Sequence, residues 1–239
     1  MSEDQYRLVR SLEEGHWWFR GVRDLVKRYV LREGEQMGRL TVLDAGCGSG
    51  LLLTELPVTS RVGVDVNEAI LGYARKTEGI YYVAGSVMEL PLGDDTCDVL
   101  ISVDVLSNAG VRDDLVAARE FRRVLKPGGL LILNLPAYEW LRSAHDRVAR
   151  TRHRYTSPEV SKLLSEAGFA QIRVTYRVTL VFPIVAMIRL IKRTGTATDV
   201  RPTSAWANRL LLATLLFENR LVTKLRMPFG LSVFASGRT

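Results

Sequence analysis

The sequence predicts an α/β fold, a mostly parallel sheet with helices on both faces. Three observations predict it. Six strand-like apolar runs alternate with helical patterns. The first run, Leu40 to Leu43, ends in Asp44 and then three glycines at alternate positions, Gly46, Gly48 and Gly50. Asp65, Ser86 and Asp104 follow the ends of later runs. In a parallel sheet such residues meet in one crevice beyond the carboxyl ends of the strands.

At 239 residues the chain is long enough for one domain with a real core plus an insertion. Its two cysteines, Cys47 and Cys97, have no metal-ligand spacing, so neither a disulfide framework nor a metal site is expected. A reducing, cytoplasmic setting is the expectation. The N-terminus lacks a basic start followed by an apolar run, so no signal peptide is expected. The net charge of +7 is unevenly spread. From Val178 to Thr239 nine Lys and Arg stand against Asp199 and Glu218, and nine minus two is the whole excess of +7. A generally nucleic-acid-binding surface is therefore disfavoured. One region is expected to meet something anionic, such as a membrane surface or an acidic substrate.

Residues 5–33 read as a helix, with Trp18, Val22, Leu25, Val26, Tyr29 and Val30 at three- and four-residue steps. Its aromatic knot, His16-Trp17-Trp18-Phe19, supports two readings: rings packed against the sheet, or a cap over a ligand with Arg23 close by. The glycine turn that follows offers positive-φ backbone and close approach to a ligand. The helix beyond it would present free N–H groups. A dinucleotide fingerprint would need glycine at position 51, which is Leu51. A short helix, Ser49–Leu56, stops at Pro57, and Arg61–Asp65 is the second strand. Asn67 caps a helix running to about Lys76. Tyr81–Ala84 and Cys97–Val103 are strands three and four. Asp113–Leu125 is an amphipathic helix, Lys126–Gly129 a turn and Leu130–Leu135 strand five. Thr156 and Glu159 have capping-box spacing for a helix ending at Gly168. Gln171–Leu180 reads as strand six, and Ser232–Gly237 as strand seven.

The D-x-G-x-G-x-G pattern from Asp44 to Gly50, followed by Asp65 at the end of the second strand, resembles the class I S-adenosylmethionine-dependent methyltransferases. Lys126-Pro127-Gly128-Gly129 before strand five and the N-terminal H-W-W-F run resemble small bacterial members. The resemblance implies a Rossmann-like seven-stranded sheet with strand seven antiparallel. It implies an N-terminal helical cap over 1–38 and a methyltransferase domain over 39–239. A helical lid or interface insertion at about 181–228 would separate strands six and seven. It implies S-adenosyl-L-methionine as cofactor, held by Asp44, Gly46, Cys47 and Gly48. Asp65 would accept from the ribose hydroxyls beside Val66, with Ser86 and Val87 at the adenine. Asp104 and Val105 would face the methionine end, with Trp18 and Arg23 above. Two departures stand out: Ser86 replaces the usual acid, and Ser107-Asn108 replace an acid and a histidine. Any general base must therefore come from elsewhere.

The stretch after strand five should line the acceptor side. His145 and Asp146 are the candidates for a base or an orienting pair, with Tyr138 a weaker one. Asn108, Tyr138, Arg142, Arg154 and Tyr155 are candidates for binding the acceptor. Five arginines lie between 142 and 154. They form either a solvated basic loop or a clamp for an anionic group.

The insertion's apolar stretches, Val178–Ile188 and Leu210–Phe217, are too short to span a bilayer. Three readings compete: a lid over an apolar substrate, a homodimer interface, and a peripheral membrane contact through 178–228. The expected function is metal-independent methyl transfer to a small molecule, apolar or amphiphilic, such as a lipid, isoprenoid or secondary metabolite. The alternatives are a catalytically silent methyltransferase-like subunit and an NAD-dependent oxidoreductase. Nucleic-acid methylation ranks low, because no N/D-P-P-Y-type motif follows strand four.

Overall fold

The computed structural model describes residues 12–37, 39–72, 74, 77–191 and 204–239. The expected helix start at residue 5, the helix end at Lys76, and basic Lys192, Arg193 and Arg201 lie outside the described residues.

Seven strands form one sheet: β1 (Thr41–Ala45), β2 (Ser60–Asp65), β3 (Ile80–Ala84), β4 (Cys97–Val103), β5 (Leu125–Pro136), β6 (Ala170–Arg177) and β7 (Ser232–Arg238). Their order is β3-β2-β1-β4-β5-β7-β6. The pairs among β1 to β5 are parallel, and β7 runs antiparallel to both β5 and β6. The order reverses between β1 and β4, which opens the crevice at their carboxyl ends. Successive residues face opposite sides. Val42, Val99 and Ile132 enter one core, and Leu43, Leu100 and Leu131 enter the other. Both faces are covered, as a parallel sheet requires.

The helices are α1 (Trp17–Met37), α2 (Leu51–Glu55), α3 (Glu68–Gly72), α4 (Asp114–Val124), α5 (Ala144–Val148), α6 (Ser157–Glu166), α7 (Phe182–Ile191) and α8 (Ala205–Val222). Three helix starts follow from local chemistry. Asn67 Oδ1 accepts from the N–H groups of Ala69 and Ile70. Asp113 does so from Leu115 and Val116. Thr156 and Glu159 form the expected capping box. α1 covers one core with Val22, Leu25, Val26 and Val30. Burying side chains of that size is worth about 1.5–3 kcal/mol each.

Several boundaries depart from expectation: the helix expected over 5–33 is interrupted at 14–16 and then runs from Trp17 to Met37, and strand six ends at Arg177 rather than Leu180. The turn at Lys126–Gly129 is absorbed into β5, because Leu125 already pairs with Cys97 while Leu130 pairs with Val99, leaving the intervening residues as a bulge. Residues 144–148, expected as loop, form α5, because Ser143 and Asp146 make a second capping box.

The insertion is helical. α7 and α8 share a cluster with Trp17, Leu141 and Leu231. α8 lies against α1, where Gly21 admits Leu215 so closely that an added Cβ would sit 2.1 Å from its Cδ2. Asn219 Nδ2 donates to the Gly21 carbonyl at 2.8 Å and to Asp24 at 2.9 Å.

Candidate active site

The loop after β1 is pinned to β2: the N–H groups of Gly46 and Cys47 both donate to the Val64 carbonyl, at 2.7 and 3.0 Å. Gly46 has φ 93°. A side chain there would collide with Val105, at 2.2 Å from its Cγ2. Gly50, the residue before α2, has φ 72° and abuts the Tyr82 hydroxyl. Gly48, with φ 52°, faces open space, with nothing within 4 Å of a would-be Cβ. The loop is thus rigid beneath and vacant above. Asp65 braces it, accepting from the N–H of Gly48 at 3.0 Å and of Asn67 at 3.0 Å. Each carboxylate oxygen keeps a lone pair for another donor.

Above the loop lies a cavity of about 510 Å³. Of the expected residues, Trp18, Arg23, Asp44, Gly46, Cys47 and Gly48 line it, as do Asp104, His145, Asp146 and Arg154. Ser107, one of the two departures from the family pattern, lines it too, as do Glu13, Thr151, Val185 and Arg189, which the sequence does not single out. No local pattern marks them, since they arrive from separate elements.

The floor is acidic. Asp44 is buried and accepts from no donor among the described residues. Burial, with help from the nearby charges of Asp65 and Glu13, pushes its carboxyl up to about 7. Asp104 ends β4 with φ 58°, its amide donating to the Asn134 carbonyl at 2.7 Å. Burial raises its carboxyl to about 6, against the pull of Asn134, Arg177 and Arg154. Behind it runs a buried relay that the sequence did not suggest. Arg177 Nη1 donates to Asn134 Oδ1 at 3.2 Å, and Asn134 Nδ2 donates to Asp104 Oδ1 at 3.0 Å. Glu13 accepts from the Ser49 hydroxyl on the glycine loop. Such a floor favours a ligand carrying positive charge.

Several expected roles meet competing contacts. Arg23 spans α1 and α2, donating to Glu55 at 3.0 Å and to the Glu13 carbonyl at 2.6 Å. Val66 is 78% exposed beside Asp65, and Val87 is buried in the core. Ser86 accepts from the Met88 N–H at 3.1 Å. Asn108 holds the Ala149 carbonyl and the Gly110 N–H. Neither they nor Val105 lines the cavity.

Three of the five acceptor-side arginines are engaged by protein groups, while Arg147 and Arg150 are exposed. Arg142 pairs with Glu139 and donates to the carbonyls of Thr151 and Arg152. Arg152 pairs with Asp114. Arg154 donates to Asp146 and to the Ala137 carbonyl, both at 2.8 Å, in a buried ion pair. Asp146 also accepts from the Ser143 N–H at 2.7 Å. Burial alone would raise its carboxyl, but Arg154 and these hydrogen bonds outweigh it and leave it below the ordinary carboxylate range. Asp146 thereby ties α5 to the segment that carries Arg154. Tyr138 stacks on Tyr176, ring centroids 5.0 Å apart, and burial raises its hydroxyl pKa. The Tyr155 hydroxyl is tied to the Leu106 carbonyl and Asp114, at 3.1 and 2.8 Å. Both tyrosines stand outside the cavity. Among the expected catalytic groups, His145 remains as a cavity-lining base candidate.

Comparison with known proteins agrees with this geometry. Residues 43–133 match a family described as a methyltransferase domain. The chain is 32% identical over 179 residues to malonyl-(acyl-carrier protein) O-methyltransferase of Dechloromonas aromatica, covering 70% of this chain and 66% of that one. It is 26% identical over 206 residues to demethylmenaquinone methyltransferase of Staphylococcus aureus, covering 72% and 81%. The chain spans 62 to 66% of the length of the first curated relatives it matches. Among solved structures, a chain from the complex between the Haloferax volcanii Trm112 methyltransferase activator and a candidate methyltransferase superposes with TM-score 0.61. Identity is 20%, with 99% of this chain and 94% of that chain covered. The strand order with its antiparallel β7 and the glycine turn braced by Asp65 accord with these likenesses: residues 43–133 match a methyltransferase domain, and the chain as a whole is similar to S-adenosylmethionine-dependent methyltransferases.

Proposed function

We propose that the protein transfers a methyl group from S-adenosyl-L-methionine to a small acceptor with an apolar body. The observation that carries this reading is a single cavity that joins the glycine turn and Asp104 to a wall of Trp17, Trp18, Phe19 and Val185. Donor and acceptor would share one chamber.

The residues fit the cofactor. Gly48 leaves open space over the turn, and Asp65 retains acceptor capacity for ribose hydroxyls. When bound, S-adenosylmethionine supplies an electrophilic methyl on a sulfonium. The protein's own work is alignment, water exclusion and proton handling. Asp44 and Asp104 provide the negative field that suits a sulfonium and an ammonium. Their burial keeps that field unscreened. His145 would take a proton from an acceptor that must lose one.

Because Arg142, Arg152 and Arg154 are engaged by protein groups, the acceptor needs no anionic head to satisfy them. Lipid-like, isoprenoid or similar acceptors fit best, in a cytoplasmic enzyme. Delivery of such an acceptor calls for contact between 178–228 and whatever carries it, a bilayer or a second copy of the chain. A screen with labelled cofactor tests the reading. Quinone, prenyl and acyl acceptors are expected to take up label and hydrophilic neutral ones are not; the reverse pattern overturns it.

A second reading takes its cue from the neighbour solved with a protein activator. If the purified chain binds S-adenosylhomocysteine yet methylates only after a protein partner is added, that reading gains the upper hand.

A further inference from the structure

The insertion presents an outer face that the fold does not cover. Along α8, beyond its first residue Ala205, the exposed positions are Trp206, Arg209, Leu210, Ala213, Phe217 and Arg220. They recur at three- and four-residue steps and so form one stripe along the helix. Trp206 is 74% exposed and Phe217 55%. The buried side of the same helix carries Leu212, Leu215 and Val222. On α7, Ile184, Met187 and Ile188 are exposed at the same spacing. α7 and α8 turn their inner sides to one shared cluster, so their outer sides face away from the protein together. Leu180, Leu225 and Phe229 extend the apolar surface.

The charge on this face has one sign. Arg209, Arg220, Lys224 and Arg226 are exposed. The described acid in the segment, Glu218, is buried, its Oε2 accepting from the N–H groups of Thr179 and Leu180. Among the described residues no acidic side chain is exposed between Val178 and Thr239. No described helix is long and apolar enough to cross a membrane.

We propose that this face docks on an anionic lipid surface. A second copy of the chain would bring the same basic residues against each other in a two-fold contact, where like charges repel. A bilayer carrying anionic headgroups meets both halves of the pattern. Trp206 and Phe217 settle at the headgroup level beside the aliphatic side chains, while the arginines and Lys224 pair with phosphates. The placement of α7 gives the docking a purpose. Its Val185 and Arg189 line the cavity, while Ile184, Met187 and Ile188 face outward. One helix thus separates the reaction chamber from the membrane. A membrane-resident acceptor follows, which deepens the proposed function and rests on it; the docking itself does not.

The test is co-sedimentation of the full chain with phosphatidylcholine vesicles, with and without about one-third phosphatidylglycerol. The wild-type chain is expected to bind the anionic vesicles at least about tenfold more tightly than the neutral ones, with binding weakened by salt. Phe217→Glu and Leu210→Glu are expected to reduce vesicle binding about tenfold or more, and Arg220→Glu with Lys224→Glu to remove the salt dependence. All lie on the exposed face, and calorimetric titration with S-adenosylhomocysteine should show unchanged affinity, which certifies the fold. Equal, weak binding to both vesicle types overturns the proposal. So does a dimer that Phe217→Glu dissociates in a chain that ignores vesicles, which would assign the face to a second copy. Failure of the methyltransferase reading is seen separately, as absent S-adenosylhomocysteine binding in a chain that still docks.

Discussion

Replacing Asp44 by Asn should make the free protein more stable and the cofactor bind less well. Asp44 is buried with no hydrogen-bond donor among the described residues, and its carboxyl is raised from 3.8 to about 7. A raised carboxyl contributes stability fully present below its unfolded value and lost as pH rises through the folded value. The cost therefore accumulates between about pH 4 and pH 7. Three units at 1.36 kcal/mol each set it at roughly 4 kcal/mol above neutrality, an upper bound that water in the cavity will reduce. Denaturant unfolding at pH 8 and pH 5, without cofactor, is the assay. The wild-type chain should gain stability on going to pH 5. Asp44→Asn should be more stable than wild type at pH 8, by an amount that shrinks toward zero near pH 4. Its affinity for S-adenosylhomocysteine, which keeps the ammonium but lacks the sulfonium, should fall, and that for S-adenosylmethionine should fall further. A variant no more stable than wild type at pH 8 would refute the reasoning, because it would mean that the carboxylate is satisfied in the free protein.

Other consequences are simpler to read. Asp65→Ala removes the acceptor of the Gly48 and Asn67 amides, and should weaken S-adenosylhomocysteine binding about 10- to 100-fold at about 1.5–3 kcal/mol per charged hydrogen bond. Arg154→Leu leaves the Asp146 carboxylate buried without its ion-pair partner, and should cost about 3–5 kcal/mol in denaturant unfolding. His145→Gln should lower kcat about 100-fold or more for acceptors that lose a proton, with cofactor affinity unchanged; an unaltered kcat removes His145 from the chemistry. Gly21→Val would drive its side chain into Leu215 and should destabilise the α1–α8 contact by about 1–3 kcal/mol, seen as a lower melting temperature.

What the sequence made legible was local. The glycine turn, Asp65 and the caps at Asn67, Asp113 and Thr156 each depend on residues within a few positions of one another or on strand ends. The period of the strands placed the crevice. The basic run from Arg142 to Arg154 left a solvated loop and an anion clamp both open, because its partners are set by folding. Arg152 reaches Asp114, 38 residues away, and Arg154 reaches Asp146 on α5. Tyr138 stacks on Tyr176 and Tyr155 is tied to Leu106 and Asp114, contacts with residues 38 or more positions away along the chain or on another element that no local pattern announces. The relay from Arg177 through Asn134 to Asp104 joins three strands, and nothing in the neighbouring residues announces it. Val87, which composition alone leaves open as an adenine platform or a core residue, is packed in the core cluster.

The central claim is that the turn from Asp44 to Gly50, braced by Asp65, holds S-adenosylmethionine and not a nicotinamide dinucleotide. Parallel calorimetric titrations with S-adenosylhomocysteine and with NAD on the full chain test it most directly. The account predicts a saturable one-site isotherm for S-adenosylhomocysteine, strongly weakened in Asp65→Ala, and none for NAD. Saturable NAD binding with no response to S-adenosylhomocysteine would contradict it.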